Sequence, residues 1–355
     1  MDSTSERNRL TRRRLLGLGV VAAIGAACAP AATSPAATTA AAPVPTIATA
    51  AAATRAATAA PTAPPATPSP ARTPFNIASM KDPLIDDHAH PIPPTQGDQA
   101  KYFDGIVDLM DKSNVAMTIL HRNGEWTTGT NKWGAEHDTW VKAAMDRHPG
   151  RLLGFLAGFD PADPSALAYI RSQFQSAPGR WKAIGELDLR NPGPQTKIPI
   201  NSPNVLAIAK LAGDLGVPFV FHYNIDYGTS GPEAGLAEIE DALVKVPGTT
   251  FVIAHNPLPP PMQKHTNLWA ELTLYAPQGV QVFQMLSSQQ PAFLDRFVLC
   301  LTDMQQPDLR VSAGAPAPMS YAEATTKARD ALAALTAEQR DKIAYKNLTR
   351  LLKLS

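Results

Sequence analysis

The sequence predicts an α/β fold, a (β/α)8 barrel of the TIM type with C-terminal helices, preceded by a disordered Ala/Thr/Pro-rich tether. Three observations predict it. Eight short, nearly all-apolar runs recur after residue 80, and helical patterns lie between most of them at spacings near about 30 residues. Several runs end in His, Glu or Asp, and in a barrel the C-terminal strand ends meet at one rim. The first 75 residues have too few large apolar side chains to form a core.

Residues 1–28 read as a leader. Thr11-Arg12-Arg13-Arg14-Leu15-Leu16-Gly17 resembles the twin-arginine export signal, and the apolar stretch Leu15 to Ala27 is too short to span a bilayer comfortably. Gly25-Ala26-Ala27-Cys28 resembles a lipobox, which would place a lipid anchor on Cys28. It departs from that pattern at Gly25, so ordinary cleavage after Ala27 stays open. The expectation is an exported, extracytoplasmic protein that meets the twin-arginine machinery and touches the membrane only through Cys28. Residues 29–75 are almost entirely Ala, Thr and Pro; the prolines break any alanine helix, and as a coil the segment spans roughly 40 Å.

Residues 76–355 are the length of one large barrel or two small domains. Of 32 basic and 31 acidic residues, the first 75 take seven Arg and two acids, leaving 25 basic against 29 acidic groups. A mildly acidic domain without a Lys/Arg run is a poor trap for nucleic acid, so a small-molecule substrate is the expected partner. Cys28 and Cys300 are the two cysteines of the chain, which leaves no internal disulfide framework if Cys28 carries lipid. Cys300, inside the apolar run from Phe297 to Leu301, reads as an inert buried thiol.

The first strand is Pro83-Leu84-Ile85 leading into Asp86-Asp87-His88-Ala89-His90-Pro91. Alternate residues of a strand share a face, so His88 and His90 stand about 6.5 Å apart on one side and are able to converge on one cation. The next runs are Val115 to His121, Leu152 to Phe159, Lys182 to Leu189 with Glu186, Val217 to His222, Thr250 to His255, Leu268 to Leu274, and Phe297 to Asp303. Helical patterns cover Tyr102 to Ser113, Thr139 to Arg147, Ser165 to Gln175, Val205 to Gly213, Gly235 to Val244 and Val280 to Leu286. Twelve residues with four prolines separate His255 from Leu268, so the sixth helix is short or absent. Tyr321 to Leu354 reads as two amphipathic helices, with Thr336 capping the second. A doubly wound open sheet is the alternative architecture.

The strand ends bring together His88, His90, Glu186, His222, His255 and Asp303. Imidazoles and carboxylates meeting at one mouth are costly unless a cation or protons neutralise them. A histidine closing an otherwise apolar strand is either a ligand or a satisfied core residue, Asp303 is either functional or a cap, and Glu186 is either a ligand or a carboxylate orienting one. Asp188 and Arg190 share the face of Glu186 and are expected to pair with each other. His137, His148 and His265 are expected to be solvated.

Taken together, Asp86-Asp-His-Ala-His90, Gly185-Glu186, Val220-Phe-His222, Val252-Ile-Ala-His255, Leu301-Thr-Asp303 and the closing Lys342 to Leu352 resemble the amidohydrolase superfamily, in its amidohydrolase-2 branch. The resemblance spans about residues 80–355. It implies that His88, His90 and Asp303 ligate one divalent metal, that His222 and His255 ligate a second, and that Glu186 bridges them. In the one-metal version His88, His90, His222 and Asp303 hold the ion, and His255 serves as acid or base. Zinc suits such mixed ligands best, with manganese and iron open. The implied chemistry is hydrolysis of an ester, lactone or amide by water whose pKa the metal lowers, with Asp303 as proton acceptor. Decarboxylation at a single metal, as in some relatives, and a non-catalytic ligand- or metal-binding lipoprotein are the alternatives. His121, Arg122, Arg190 and Tyr223 are candidates for holding substrate, His121 equally for satisfying a loop carbonyl, and the long loop from Arg122 to His137, with Trp126 and Trp133, reads as a mobile flap or as anchors beneath it.

Overall fold

A computed structural model describes residues 76–91, 98–121, 135–192, 195–255, 257–274, 277–289, 291–303 and 319–354. The leader, Cys28 and the tether lie outside the described residues, as do Arg122 and most of the loop that carries Trp126 and Trp133.

The eight apolar runs form the eight parallel strands of a nearly closed barrel. They are β1 (Leu84–Ala89), β2 (Val115–Leu120), β3 (Leu152–Leu156), β4 (Trp181–Asn191), β6 (Phe219–Tyr223), β7 (Phe251–Ile253), β8 (Leu268–Thr273) and β9 (Phe297–Cys300). The two-residue β5 (Thr196–Lys197) pairs antiparallel with the end of β4. Each barrel strand hydrogen-bonds to the next in chain order, as right-handed βα units require. The open-sheet alternative is excluded by this order together with the closure between β9 and β1. At that seam the Asp86 carboxylate accepts from the backbone N–H groups of Leu301 and Thr302 at 3.0 and 3.2 Å, and the Asp303 N–H donates to the His88 carbonyl at 2.9 Å.

Helices α1 (Gln99–Ser113), α2 (Ala135–Arg147), α3 (Ala166–Ser176), α4 (Pro203–Leu215), α5 (Pro232–Lys245), α6 (Pro259–Lys264) and α7 (Pro277–Gln289) alternate with the strands. Most begin a few residues earlier than the periodicity indicates. Pro203 and Pro232 occupy the first helical turn, where a missing N–H costs nothing. The sixth helix is short, six residues, as the proline cluster implies. After the barrel come α8 (Tyr321–Leu332) and α9 (Ala337–Asp341), each opened by a capping box, Ser320 with Glu323 and Thr336 with Gln339. One π-helical turn, Lys342–Lys346, then leads into α10 (Asn347–Leu351). No helix among the described residues is long and apolar enough to cross a membrane.

Two apolar layers hold these parts together. Between strands and helices lies the larger one, including Phe103, Ile106, Leu120, Leu187, Phe219, Phe251 and Phe297. The smaller fills the barrel's inside with Ile85, Met117, Ile119, Phe155, Ala183, Val220, Val252 and Val298, on which Leu348 and Leu352 of α10 and its end close the bottom.

Candidate metal centre

Moving two residues along a strand keeps the same face, so the barrel's inner layer continues upward as a polar one. Ile119 gives way to His121, Val220 to His222, Trp269 to Glu271 and Val298 to Cys300; Asp87 follows Ile85. Each of these polar residues is buried. In β4 the ladder shifts register between Ile184 and Leu187, which brings Glu186 to the inside although Ala183 is already there. Only glycine fits before it. Gly185 has φ +125°, and a Cβ would lie 2.1 Å from the Val220 carbonyl oxygen.

The histidines of β1 meet as their spacing predicts, with His88 Nε2 2.8 Å from His90 Nε2. Glu186 Oε2 is 3.1 Å from the first and 3.3 Å from the second. On the other side of the same carboxylate, Oε1 lies 3.2 Å from His222 Nδ1 and 3.8 Å from His255 Nε2. Asp303 Oδ1 is 3.5 Å from His90 Nε2, and its Oδ2 is 4.0 Å from His255 Nε2. Four of the other five residues named from the sequence, His88, His90, His222 and His255, therefore surround Glu186, and the fifth, Asp303, lies beside His90 and His255. Among the described residues, three groups of possible ligand atoms gather here: His88, His90, Glu186 and His255; Glu186, Asp188 and His222; and His88, His255, Glu271 and Cys300. Asp303 belongs to none of them. His255 and Asp303 sit just past their strands with φ of 57° and 43°, a left-handed backbone that few non-glycine residues adopt and that marks constrained positions.

The sequence reading missed Glu271. Its carboxylate is fully buried, lies 2.9 and 3.0 Å from His88 Nδ1 through its two oxygens, and accepts the His255 backbone N–H at 3.3 Å. The available signal was a lone acid in an otherwise apolar strand, on the inward face by alternation. Asn224 was missed too; its side-chain oxygen stands 2.9 Å from His222 Nε2.

Of the substrate candidates, Arg122 lies outside the described residues, His121 packs against the cluster, and Arg190 and Tyr223 are engaged elsewhere. His121 is fully buried, stacks on His88 with ring centroids 4.0 Å apart, and donates from Nε2 to the Asp87 carbonyl at 2.7 Å. Arg190 pairs with Glu238 rather than with Asp188 as expected, and also donates to the Tyr223 hydroxyl and the Gly228 carbonyl. Tyr223 in turn donates to Glu238. The expectation failed because Glu238 comes from α5, which folds back over the end of β4. Asp188 instead accepts from the Asn191 amide at 2.6 Å. His137 and His148 are buried, not solvated, and His148 lies 2.8 Å from Asp104. Cys300 is buried as expected, but its sulfur touches the site, 3.5 Å from His255 Nδ1.

The donor set fits a divalent cation. Among the described residues, Glu186, Glu271 and Asp303 gather with the imidazoles of His88, His90, His222 and His255. Burial pulls the His88 imidazolium down, but Glu271 and Glu186 on either side outweigh it and hold its pKa well above the ordinary value. Burial pushes the Glu186 carboxyl up, and His88, His222 and His90 reverse this and take it well below the usual range. His222 is likewise raised, burial opposing and Glu186 prevailing. His255 is driven well below the ordinary value by burial and by the neighbouring His88. A metal ion delivers the same neutralisation without protons.

No curated protein matches the chain. Solved structures with the same fold include a probable 2-pyrone-4,6-dicarboxylic acid hydrolase from Acinetobacter baumannii at 15% identity, covering 76% of this chain and 99% of that one with a TM-score of 0.52. A 4-oxalomesaconate hydratase from Rhodopseudomonas palustris matches at 16% identity, 76% and 95% coverage and a TM-score of 0.53. A 2,6-dihydroxybenzoate decarboxylase from Rhizobium matches at 14% identity, 78% and 99% coverage and a TM-score of 0.52. The family profile Amidohydro_2, described as Amidohydrolase, matches residues 85–354, essentially the whole barrel with its closing helices, and the chain belongs to that amidohydrolase family.

Proposed function

We propose that this protein is an exported, metal-dependent hydrolase that attacks an ester, lactone or amide with activated water. The observation that carries the reading is the convergence of His88, His90 and Glu186, all within 3.3 Å of one another, with the Asp303 carboxylate 3.5 Å from His90. His88, His90 and Glu186 would hold the ion, with Asp303 beside them, and His222 with Asp188 offers donors for a second across Glu186. A divalent ion, zinc first on ligand type, supplies Lewis acidity that polarises a carbonyl and lowers the pKa of water toward about 7. Asp303 accepts the proton of the attacking water and passes it toward the leaving group. His255, whose Nε2 lies 3.8 Å from Glu186 and 4.0 Å from Asp303, is the proposed second acid or base.

The polar upper layer excludes bulk water and leaves specificity to the loops after the strands. Arg122, in the loop after β2, is the proposed contact for a substrate carboxylate, since Arg190 and Tyr223 are engaged with Glu238. The leader supports export by the twin-arginine route and anchoring through Cys28, with residues 29–75 holding the barrel off the membrane.

Elemental analysis of the purified chain followed by an ester, lactone and amide screen with and without chelator tests the reaction. Chelator-sensitive hydrolysis that His88→Ala abolishes together with bound metal is the expected result, and an active, metal-free His88→Ala protein refutes it. Carbon dioxide release instead of hydrolysis would make the enzyme a decarboxylase, and bound metal without turnover on a wide panel a binding protein. Replacing Arg12 and Arg13 by Lys is expected to retain the protein inside the cell, and fatty-acid labelling lost in Cys28→Ala tests the anchor.

A further inference from the structure

The end of the barrel opposite the candidate site has a chemistry of its own. Every loop that enters a barrel strand lies at this end, and the residues after α8 close it. These loops, the last helical turn before each, and the closing residues 333–354 carry 14 basic against 8 acidic groups, whereas residues 76–355 as a whole carry 25 against 29. Charge is therefore polarised along the barrel axis, basic at the closed end and acidic toward the mouth.

On that end lies a recess of about 310 Å³ with an amphipathic lining. Ile77, Tyr345 and Leu354 supply its half-buried apolar part, and Lys346, Arg350 and Lys353, all exposed, its cations. Lys353 donates to the Gly216 carbonyl at 2.7 Å, and Arg350 to the Asp295 carbonyl and the Asn347 amide oxygen, neutral partners that leave both charges in place. Lys346 lies 2.9 Å from Asp341, an exposed pair of little strength. Arg350 also stands over the Trp269 ring, 5.1 Å from its centre, so half-buried Trp269 and Tyr345 flank the cations. Long cationic side chains beside Trp and Tyr rings are the groups that settle at a membrane–water interface.

The described residues begin at Asn76, and Ile77 lines the recess itself, so an anchor on the preceding residues attaches at this same end. A tether spanning roughly 40 Å lets the barrel stand off a bilayer or settle on it, and leaves its direction free. We propose that the closed end is a docking surface for an anionic phospholipid bilayer, with Lys346, Arg350 and Lys353 facing the headgroup phosphates and the mouth turned away toward dissolved substrate. The acidic mouth is repelled by the same surface, which favours the same direction. Each cation brought to such a surface is worth about five-fold in partition, and the attraction fades within about 8 Å at physiological salt. The contact therefore orients a chain that is already tethered and does not replace its anchor, and the proposal rests on the anchored reading above.

Sedimentation with phosphatidylcholine vesicles, with and without about one-third phosphatidylglycerol, tests this on the full chain carrying Cys28→Ala, to which no lipid is attached. Combining Lys346→Gln, Arg350→Gln and Lys353→Gln is expected to weaken binding to the anionic vesicles roughly 10- to 100-fold at physiological salt, with the gap closing in high salt and absent on neutral vesicles. The arginines of residues 1–75 are common to both proteins and cancel in the ratio. Combining Lys101→Gln, Lys142→Gln and Lys210→Gln removes the same charge from exposed positions on the helices around the barrel and is expected to leave binding as in wild type. Equal loss in the two triple variants, or none in the first, overturns the proposal. A second arm needs no variant: in the lipid-anchored chain, amine-reactive labelling of Lys346 and Lys353 is expected to fall on anionic relative to neutral vesicles while Lys101 and Lys142 stay reactive, and unchanged labelling overturns the orientation. A Cys28 that carries no lipid would refute the anchor alone, since the sedimentation arm does without it, and equal binding of wild type and the first triple variant would refute this inference alone.

Discussion

The lower and upper storeys of the barrel interior are built by the same strands two residues apart, yet they obey opposite rules. Below, Ile85, Ile119, Val220, Val252 and Val298 fill the space with apolar groups, each almost wholly removed from water. Above, His121, His222, Glu271 and Cys300 take the equivalent inward positions, and left-handed backbone at His255 and Asp303 completes the rim. Burying the lower layer stabilises the fold, whereas the upper layer costs desolvation that its own internal hydrogen bonds and charges offset only in part. Stability and chemistry are thus separated by height in the barrel rather than by domain.

The largest expected effect breaks the upper storey alone. Asp303→Asn is expected to lower turnover about 10²- to 10⁴-fold while metal content and the urea midpoint stay near wild type, as loss of a proton acceptor predicts. A variant that loses its metal would instead make Asp303 a required ligand. The reciprocal change is Ile119→Ala in the lower storey, expected to cost about 2–5 kcal/mol in denaturant unfolding and to leave metal stoichiometry unchanged. Loss of metal there would show that the two storeys are coupled.

Metal removal sharpens the contrast. A chelator is expected to lower the wild-type melting temperature by the equivalent of about 2.7 kcal/mol, as for an ion present at a hundred times its dissociation constant, and to leave His88→Ala unmoved. An equal drop in both would place the ion elsewhere. The smallest effect lies outside the barrel, at Asp104 on α1. Hydrogen bonds from Arg147, with its charge and His148, hold that carboxyl below the usual range even though part of it faces solvent. A depressed folded-state pKa adds stability above the unfolded value near about 3.9 and loses it as pH falls through the folded one. Asp104→Asn is therefore expected to lower the melting temperature slightly at pH 7, with the difference from wild type shrinking below about pH 4. A difference that grows on acidification would contradict the pairing.

What was legible in the chain follows from how local each signal is. The barrel could be read because each βα unit carries its own periodicity, and the short α6 because four prolines leave no room for a longer helix. His88 and His90 could be read as a pair because strand alternation needs only two residues of context. Glu271 and Cys300 could not, because an acid or thiol inside an apolar run has meaning only when the face it shares is known to be the inner one. Arg190 misled for a related reason: its nearest acid along the strand was Asp188, but its partner Glu238 arrives from a helix 48 residues away. His148 was read as surface, and the packing of α1 against α2 buried it beside Asp104.

By itself, then, the order of amino acids determined the strand and helix succession, the ends at which chemistry-bearing residues stand, and the family pattern they make, because hydrophobic periodicity and turn chemistry act over a few residues. Tertiary structure alone decided which nitrogen of each histidine faces a carboxylate or a thiol, that Glu186 stands between His88 with His90 on one side and His222 with His255 on the other, and that Arg190 is engaged by α5. Those outcomes depend on closing the sheet between β9 and β1, a contact across more than 200 residues that places side chains within hydrogen-bond distance whatever their separation along the chain.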